Sequence, residues 1–311
     1  MIEETVKKAL ALWGMPQAKF TLAAKRENTV FRITTTSADY ALRLHRIGYR
    51  TKAELNSELQ WMAALRAENI RVPKPLASPS SALIEEVGGV LIDVLEWLPG
   101  IQVGSAGTLP KHIDRTQFCL DLGRTMAKLH DISDLWTRPT NFFRPSWDRE
   151  GLLGSNPIWG RFSDNPMLLP HERETLLTTQ KNAYSQLKTL ESAADFGLIH
   201  ADLLSENMML DGGNLYMIDF DDSGFGFRDF ELATFLLRFL EAPDYVDLED
   251  ALIEGYGARR PVNHDHLHFF LLLRALTYVG WIVPRMNEKN GVAKSAAAIN
   301  RALKLARKYL S

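Results

Sequence analysis

The sequence predicts an α+β fold in two lobes, a small antiparallel sheet followed by a larger, mostly α-helical part. Short segments of period-two alternation lie early in the chain, from Phe20 to Ile33 and from Asp39 to Leu44 around the polar turn Thr35-Thr36-Ser37-Ala38, the pattern of hairpin strands. Apolar stripes at helical spacing take over beyond Gly100. With 311 residues and 46% hydrophobic content, the chain can bury one large core or two modest ones.

Composition narrows the class of function. The 36 basic and 38 acidic residues leave a formal net charge of −2, so no global positive field exists to hold nucleic acid or an anionic membrane. No apolar run approaches the length that spans a bilayer. The opening stretch MIEETVKKALALWGM carries early acids and no continuous apolar core, unlike a secretory signal. Cys119 is the one cysteine, which excludes an intramolecular disulfide and fits a reducing compartment. These readings predict a soluble cytoplasmic protein with no nucleic-acid or membrane partner; they do not bear on oligomeric state.

Taken in order, Val6, Leu10 and Trp13 recur at helical spacing and predict an opening amphipathic helix that Gly14 and Pro16 end. In Tyr40-Ala41-Leu42-Arg43-Leu44, period two sets Tyr40, Leu42 and Leu44 on one face and Arg43 on the other. From Lys52 to Glu68, Leu55, Leu59, Met62 and Leu65 form one helical stripe, with Glu54 and Glu58 one turn apart. Glu58 is the expected partner of Arg43 and Glu54 the competing one, since an unpaired buried arginine is costly. Val72-Pro73-Lys74-Pro75 breaks that helix, and Val90 to Trp97 reads as an apolar strand running into Leu98-Pro99-Gly100.

Phe118, Cys119, Leu122, Met126 and Leu129 line a helix expected to end near His130, a packing or capping residue. Leu135 to Pro170 holds Trp136, Trp147 and Trp159 among prolines and asparagines without sustained periodicity, and reads as a long irregular excursion, a segment type that often carries function. Helices are expected at Glu172–Leu190, Glu231–Leu240, Leu267–Val283 and, as a tail with a basic solvated face, Ala293–Leu310. His264, His266 and His268 do not share one helical face, and Asn263 supplies a simple N-cap, so they are not read as a metal site.

The stretch from Leu198 to Ala233 concentrates the chemistry. His200, Asp202 and Asn207 form His-x-Asp-x-x-x-x-Asn, and Asp219 follows twelve residues after the asparagine, the spacing of a phosphoryl-transfer catalytic loop and its metal-binding aspartate. Between them, Met208-Met209-Leu210 and Leu215 to Ile218 flank Asp211-Gly212-Gly213-Asn214, a hairpin pattern that returns the chain so that Asn207 and Asp219 lie close. Phosphoryl transfer needs a carboxylate near the acceptor hydroxyl and hard oxygen ligands for magnesium. Asp202 fits the first need, Asn207 and Asp219 the second. Taken singly, each of these residues also suits a turn or a cap; the ordered set favours catalysis. Asp221 is expected to support a second metal or hold the loop, Asp222 to be solvated, and Asp229 to be an N-cap or loop clamp.

These residues resemble the aminoglycoside phosphotransferase and choline kinase superfamily, the small-molecule relatives of protein kinases, nearest to the homoserine kinase type II and stress-response kinase branch. The loop there usually reads His-Gly-Asp, and this chain has Ala201 in place of the glycine. The resemblance implies a protein-kinase-like fold, with residues 1–98 as the nucleotide-binding lobe including the hinge and residues 99–311 as the catalytic and acceptor-binding lobe. It implies ATP and magnesium as cofactors and a hydroxyl of a small molecule as acceptor: an amino alcohol, a hydroxy amino acid, a sugar or an aminoglycoside. It sets Arg43, paired with Glu58, on the nucleotide phosphates, where a guanidinium can grip through two parallel bonds. Backbone groups of Glu96 and Leu98 would meet the adenine edge, with Met209 and Ile218 as the apolar floor. The turn at Glu27-Asn28-Thr29 would lie over the phosphates, and the excursion at 135–170 would shape the acceptor pocket. For an ammonium-bearing acceptor, Asp148, Asp164 and Glu231 are the acids considered. Two alternatives stand beside this reading: a protein Ser/Thr kinase of the stress-response type, and a catalytically silent nucleotide-binding regulator.

Overall fold

In the computed structural model, which describes residues 2–25, 27–105 and 108–311, the chain divides into two units. One comprises Met1–Val103, Leu135–Arg144 and Glu206–Asp221; the other comprises Gly104–Asp134, Pro145–Ser205 and Asp222–Ser311.

The first unit begins with α1 (Ile2–Leu12), followed by β1 (Lys19–Lys25), β2 (Thr29–Thr34) and β3 (Asp39–Leu44), then α2 (Lys52–Ala67), β4 (Glu85–Val87), β5 (Val90–Glu96) and β6 (Ile101–Gln102). The five-stranded sheet has the order β1-β2-β3-β5-β4 and is antiparallel throughout. Period two sends Phe31 and Ile33, Leu42 and Leu44, and Ile92 and Val94 into one core with Val6 and Leu10 of α1 and Trp13 just beyond it. Arg43 and Asp93, each one residue out of phase with those positions, face each other in the β3–β5 register on the opposite side. Thr51 caps α2 through a reciprocal capping box with Glu54.

Next come α3 (Arg115–Leu135), β7 (Ser146–Trp147), α4 (Arg149–Leu153), α5 (Pro170–Leu190) and β8 (Phe196–Ile199). The hairpin β9 (Met208–Asp211) and β10 (Asn214–Met217) belongs to the first unit, where β6 pairs with β9. The remainder, β11 (Gly224–Phe227), α6 (Arg228–Leu236), α7 (Tyr245–Gly257), α8 (His264–Trp281) and α9 (Gly291–Leu310), builds the second unit around a small β7-β11-β8 sheet. Among the described residues, no helix is long and apolar enough to cross a membrane.

The α+β class and the antiparallel sheet agree with the sequence reading, and several boundaries move. Helix α3 continues past His130 to Leu135 because no breaker intervenes before Pro139. Helix α5 starts at Pro170, where a proline at the first turn lacks only a donor that has no helical partner. The excursion at 135–170 is partly ordered: Trp147 in β7 is fully buried, stacks on Phe230 at 5.6 Å and meets Trp159 edge-on at 5.2 Å.

Candidate active site

In the first unit a buried charge cluster forms on the face of the sheet opposite α1. Arg43 Nε and Nη2 donate to the two oxygens of Asp93, both at 2.8 Å, and Nη2 also reaches Glu58 Oε1 at 2.9 Å. Glu58 is therefore the α2 carboxylate that pairs with Arg43, while Glu54 is held by its cap with Thr51 at 2.7 Å. Asp93 was not anticipated. Its signal is a lone acid inside the apolar run Val90-Leu91-Ile92-Asp93-Val94-Leu95, in phase with Arg43 across the ladder. His45 Nε2 closes on Asp93 at 2.7 Å, and Arg144 Nη1 approaches Glu58 at 3.6 Å. Burial opposes the charge on Asp93, but the Arg43 guanidinium and then His45 outweigh it and draw the carboxyl down to about 2. Burial likewise works against the Arg43 charge, and Asp93 and Glu58 raise its pKa well above the usual range.

Arg144 extends the cluster toward the loop after β10, donating to the carbonyls of Phe220 at 3.0 Å and Asp221 at 2.7 Å. Burial pushes the Arg144 pKa down. Phe220 is itself buried, edge-on to Trp61 of α2 at 5.3 Å. Asp221 is buried on this loop, and the Arg144 bonds hold the loop through its main-chain carbonyls.

The hairpin forms as expected. Asn214 pairs with Asp211 and Met217 with Met208, and Gly212 and Gly213 both take positive φ, at 52° and 81°, the requirement of a tight two-residue turn. At its open end the Ile218 amide donates to the Asn207 carbonyl at 2.9 Å. Asn207 is buried, whereas Asp219 is exposed and in the left-handed region at φ 65°. Their side chains offer two hard oxygen donors, and no group of three or more His, Cys, Asp or Glu suited to a metal occurs among the described residues. Such a sparse set fits magnesium, which retains waters and takes its other ligands from phosphate.

The strand expected to meet the base lies in this unit too. The Glu96 amide donates to the Lys74 carbonyl at 2.8 Å, its carboxylate pairs with Arg66 at 3.1 Å, and Leu98 is buried. Gly100, at φ 94°, passes so close to β9 that a Cβ would lie 2.3 Å from the Leu210 carbonyl oxygen. Gln102 of β6 pairs with Met209, and Met209 and Ile218 are half-buried.

In the second unit the catalytic-loop residues follow β8. Glu231 of α6 accepts the His200 amide at 3.1 Å and the Ala201 amide at 3.0 Å, and takes a bond from His130 Nε2 at 2.8 Å. His130 Nδ1 meets the Tyr256 hydroxyl at 2.8 Å. Burial lowers the His130 pKa well below the usual histidine value, so the ring is neutral: Nε2 donates to Glu231 and Nδ1 accepts from Tyr256. Burial raises the Glu231 pKa, opposed by His200 and by the two amides. Glu231 is thus a buried clamp on the loop and does not serve as an ammonium partner; His130, expected only to pack or cap, holds that clamp. Asp148 caps α4 through the Gly151 amide at 2.8 Å, and Asp164 pairs with Arg161 at 3.0 Å. The three acids do not form one site.

Asp202 is held by a residue that sequence reasoning missed. Arg274 of α8, fully buried, donates from Nη2 to Asp202 Oδ1 at 2.7 Å. Burial raises the Asp202 pKa, Arg274 opposes the shift, and Asp222 adds to it. Asp222 is not simply solvated: its carboxylate takes a long bond from Trp159 Nε1 at 3.4 Å and its carbonyl takes Trp147 Nε1 at 2.9 Å. Asp229 lies inside α6, whose N-cap is Phe227, so it caps nothing; burial and then Asp195 push its carboxyl up to about 7. Asn263 caps α8 as expected, and His266 and His268 turn to different acids, Asp229 at 3.9 Å and Glu249 at 3.0 Å.

A model of the phosphotransferase enzyme family matches residues 21–269. The amicoumacin kinase of Bacillus subtilis (strain 168) is 25% identical over 248 residues, covering 78% of this chain and 69% of that protein. A homoserine kinase of Xanthobacter autotrophicus is 28% identical over 243 residues, covering 76% and 70%. Among solved structures, the microcompartment-associated aminopropanol kinase superposes with a TM-score of 0.84 at 27% identity, over 99% of this chain and 97% of that one. The chain has the protein-kinase-like α+β fold of these neighbours.

Proposed function

Because the chain belongs to the phosphotransferase enzyme family, we propose that it is an ATP- and magnesium-dependent kinase that moves the γ-phosphate to a hydroxyl of a small metabolite. The observation that supports this most is the ordered set of Asp202, Asn207 and Asp219, realised as a clamped loop and the open end of a hairpin. Asp202 orients the acceptor hydroxyl and takes its proton. Asn207 and Asp219 would hold magnesium, whose contribution there would be to neutralise charge on the transferring phosphate. Arg43 has its Nε and Nη2 committed to Asp93 and Glu58, which leaves Nη1 as the donor to meet the nucleotide phosphates. The Glu96 carbonyl and the Leu98 amide read the adenine edge over Met209 and Ile218. Alignment and charge neutralisation then account for catalysis without a covalent enzyme intermediate.

The relatives are named for different acceptors, aminopropanol, amicoumacin and homoserine, and a shared fold does not select among them. The deciding experiment measures ADP release with magnesium and ATP across amino alcohols, hydroxy amino acids, sugars, aminoglycosides and a generic protein, with Asp202→Asn as control. Release that depends on a small acceptor and vanishes in the control supports the proposal. Stimulation by the protein alone favours a protein kinase, and ATP binding without stimulated release favours a regulator.

A further inference from the structure

We infer that Arg274 is a positioning residue for the transfer: a box of aromatic rings fixes its guanidinium, and the guanidinium fixes the plane of the Asp202 carboxylate. This rests on the reading of Asp202 as the carboxylate that meets the acceptor.

The guanidinium carbon of Arg274 lies 4.1 Å from the ring centre of Trp159, 4.9 Å from Tyr278 and 5.4 Å from Phe230. Trp159 and Tyr278 pack edge-on at 5.7 Å, and Tyr278 follows Arg274 by one turn of α8. Arg274 is fully buried, and its Nε and Nη1 have no hydrogen-bond partner among the described residues. An arginine placed there only for stability would leave buried donors unmet at a cost. The ring faces offset that cost by attracting the cation without claiming its N–H groups, so the one directional bond from Arg274 goes to Asp202. A planar cation held by rings cannot swing, and it passes that rigidity to the carboxylate; a lysine, with a point charge on a flexible stem, cannot do the same. Asp222, His200 and Arg238 also act on Asp202, and Arg238 stacks on Tyr278 at 4.9 Å.

The test uses the full chain with Arg274→Ala, Arg274→Lys and, as a control, Arg285→Ala; Arg285 stacks on Trp281 at 4.1 Å. Arg274→Ala is expected to lower kcat by about 100-fold, the cost of misplacing a reacting group by about an ångström, with ATP affinity unchanged. Its acid limb should move to higher pH, because burial of Asp202 then loses the largest charge that opposes it. Added guanidinium ion, far below denaturing concentrations, should refill the box and restore part of kcat. Arg274→Lys should fall between wild type and Arg274→Ala, and Arg285→Ala should match wild type. An unmoved acid limb with no guanidinium rescue, or an equal loss in Arg285→Ala, would overturn the inference.

A binding measurement separates this from failure of the kinase reading. Guanidinium should raise the melting temperature of Arg274→Ala, and less so when Asp202→Asn is added, whether or not any acceptor supports turnover. Absence of that difference overturns the box as a guanidinium site; its presence alongside a silent acceptor panel counts against the kinase reading alone.

Discussion

Arg43 and Asp93 face each other across β3 and β5 and close two parallel hydrogen bonds of 2.8 Å inside the first unit. Removing one partner of such a buried pair strands the other. Asp93→Ala should destabilise the protein by about 3–5 kcal/mol and weaken ATP binding as Arg43 loses its brace. Urea unfolding with a parallel nucleotide titration measures both, and retained stability would show that Glu58 alone suffices.

The same pair sets a pH dependence. The Asp93 carboxyl falls from 3.8 to about 2 on folding, so its stabilisation is complete above the unfolded value and is lost as pH falls through the folded one. The loss should be about 2 kcal/mol between pH 4 and pH 2. Unfolding free energies over that window should slope less in Asp93→Asn.

Asp202→Asn should lower turnover by about 10²–10⁴-fold, the span of a general base, while leaving nucleotide binding largely intact. Retained turnover would remove Asp202 from the mechanism.

Asp219→Ala should weaken magnesium-dependent nucleotide binding and leave metal-free binding little changed. Calorimetric titrations with and without magnesium read this directly, and identical isotherms for variant and wild type would contradict its assignment as a ligand.

Glu231→Ala should leave the His200 and Ala201 amides and His130 without their shared acceptor. Unmet buried donors cost about 1–3 kcal/mol each, so a marked fall in melting temperature is expected together with a fall in kcat at unchanged ATP affinity. A variant as stable as wild type would show that water replaces the carboxylate.

The legible parts of this molecule were those whose cause is local. The turn chemistry of Gly212-Gly213 fixed the hairpin, the stripe Leu55-Leu59-Met62 fixed α2, and Asn263 announced its cap. Asp93 was half legible, since an acid in an apolar strand demands a partner, but its alignment with Arg43 depends on strand order. Arg274 was not legible: it sits in an apolar helix 72 residues from Asp202, and no local pattern distinguishes an arginine boxed by rings from one that snorkels to water. Glu231 was misread for the same reason, because an acid on an apolar helix shows its charge in the sequence and not the amides it will clamp.

The β9–β10 ladder gives the interval between Asn207 and Asp219 a meaning beyond spacing. Each residue of one strand is matched by a residue of the other, so the twelve-step interval acts as a folded ruler whose two ends meet. Homologous chains can lengthen or shorten this ruler only by matched steps, one on each arm. An unmatched insertion must bulge, or it turns the buried Met208 and Met217 outward. Length variation here should therefore come in pairs, while Asn207 stays opposite Ile218, the neighbour of Asp219.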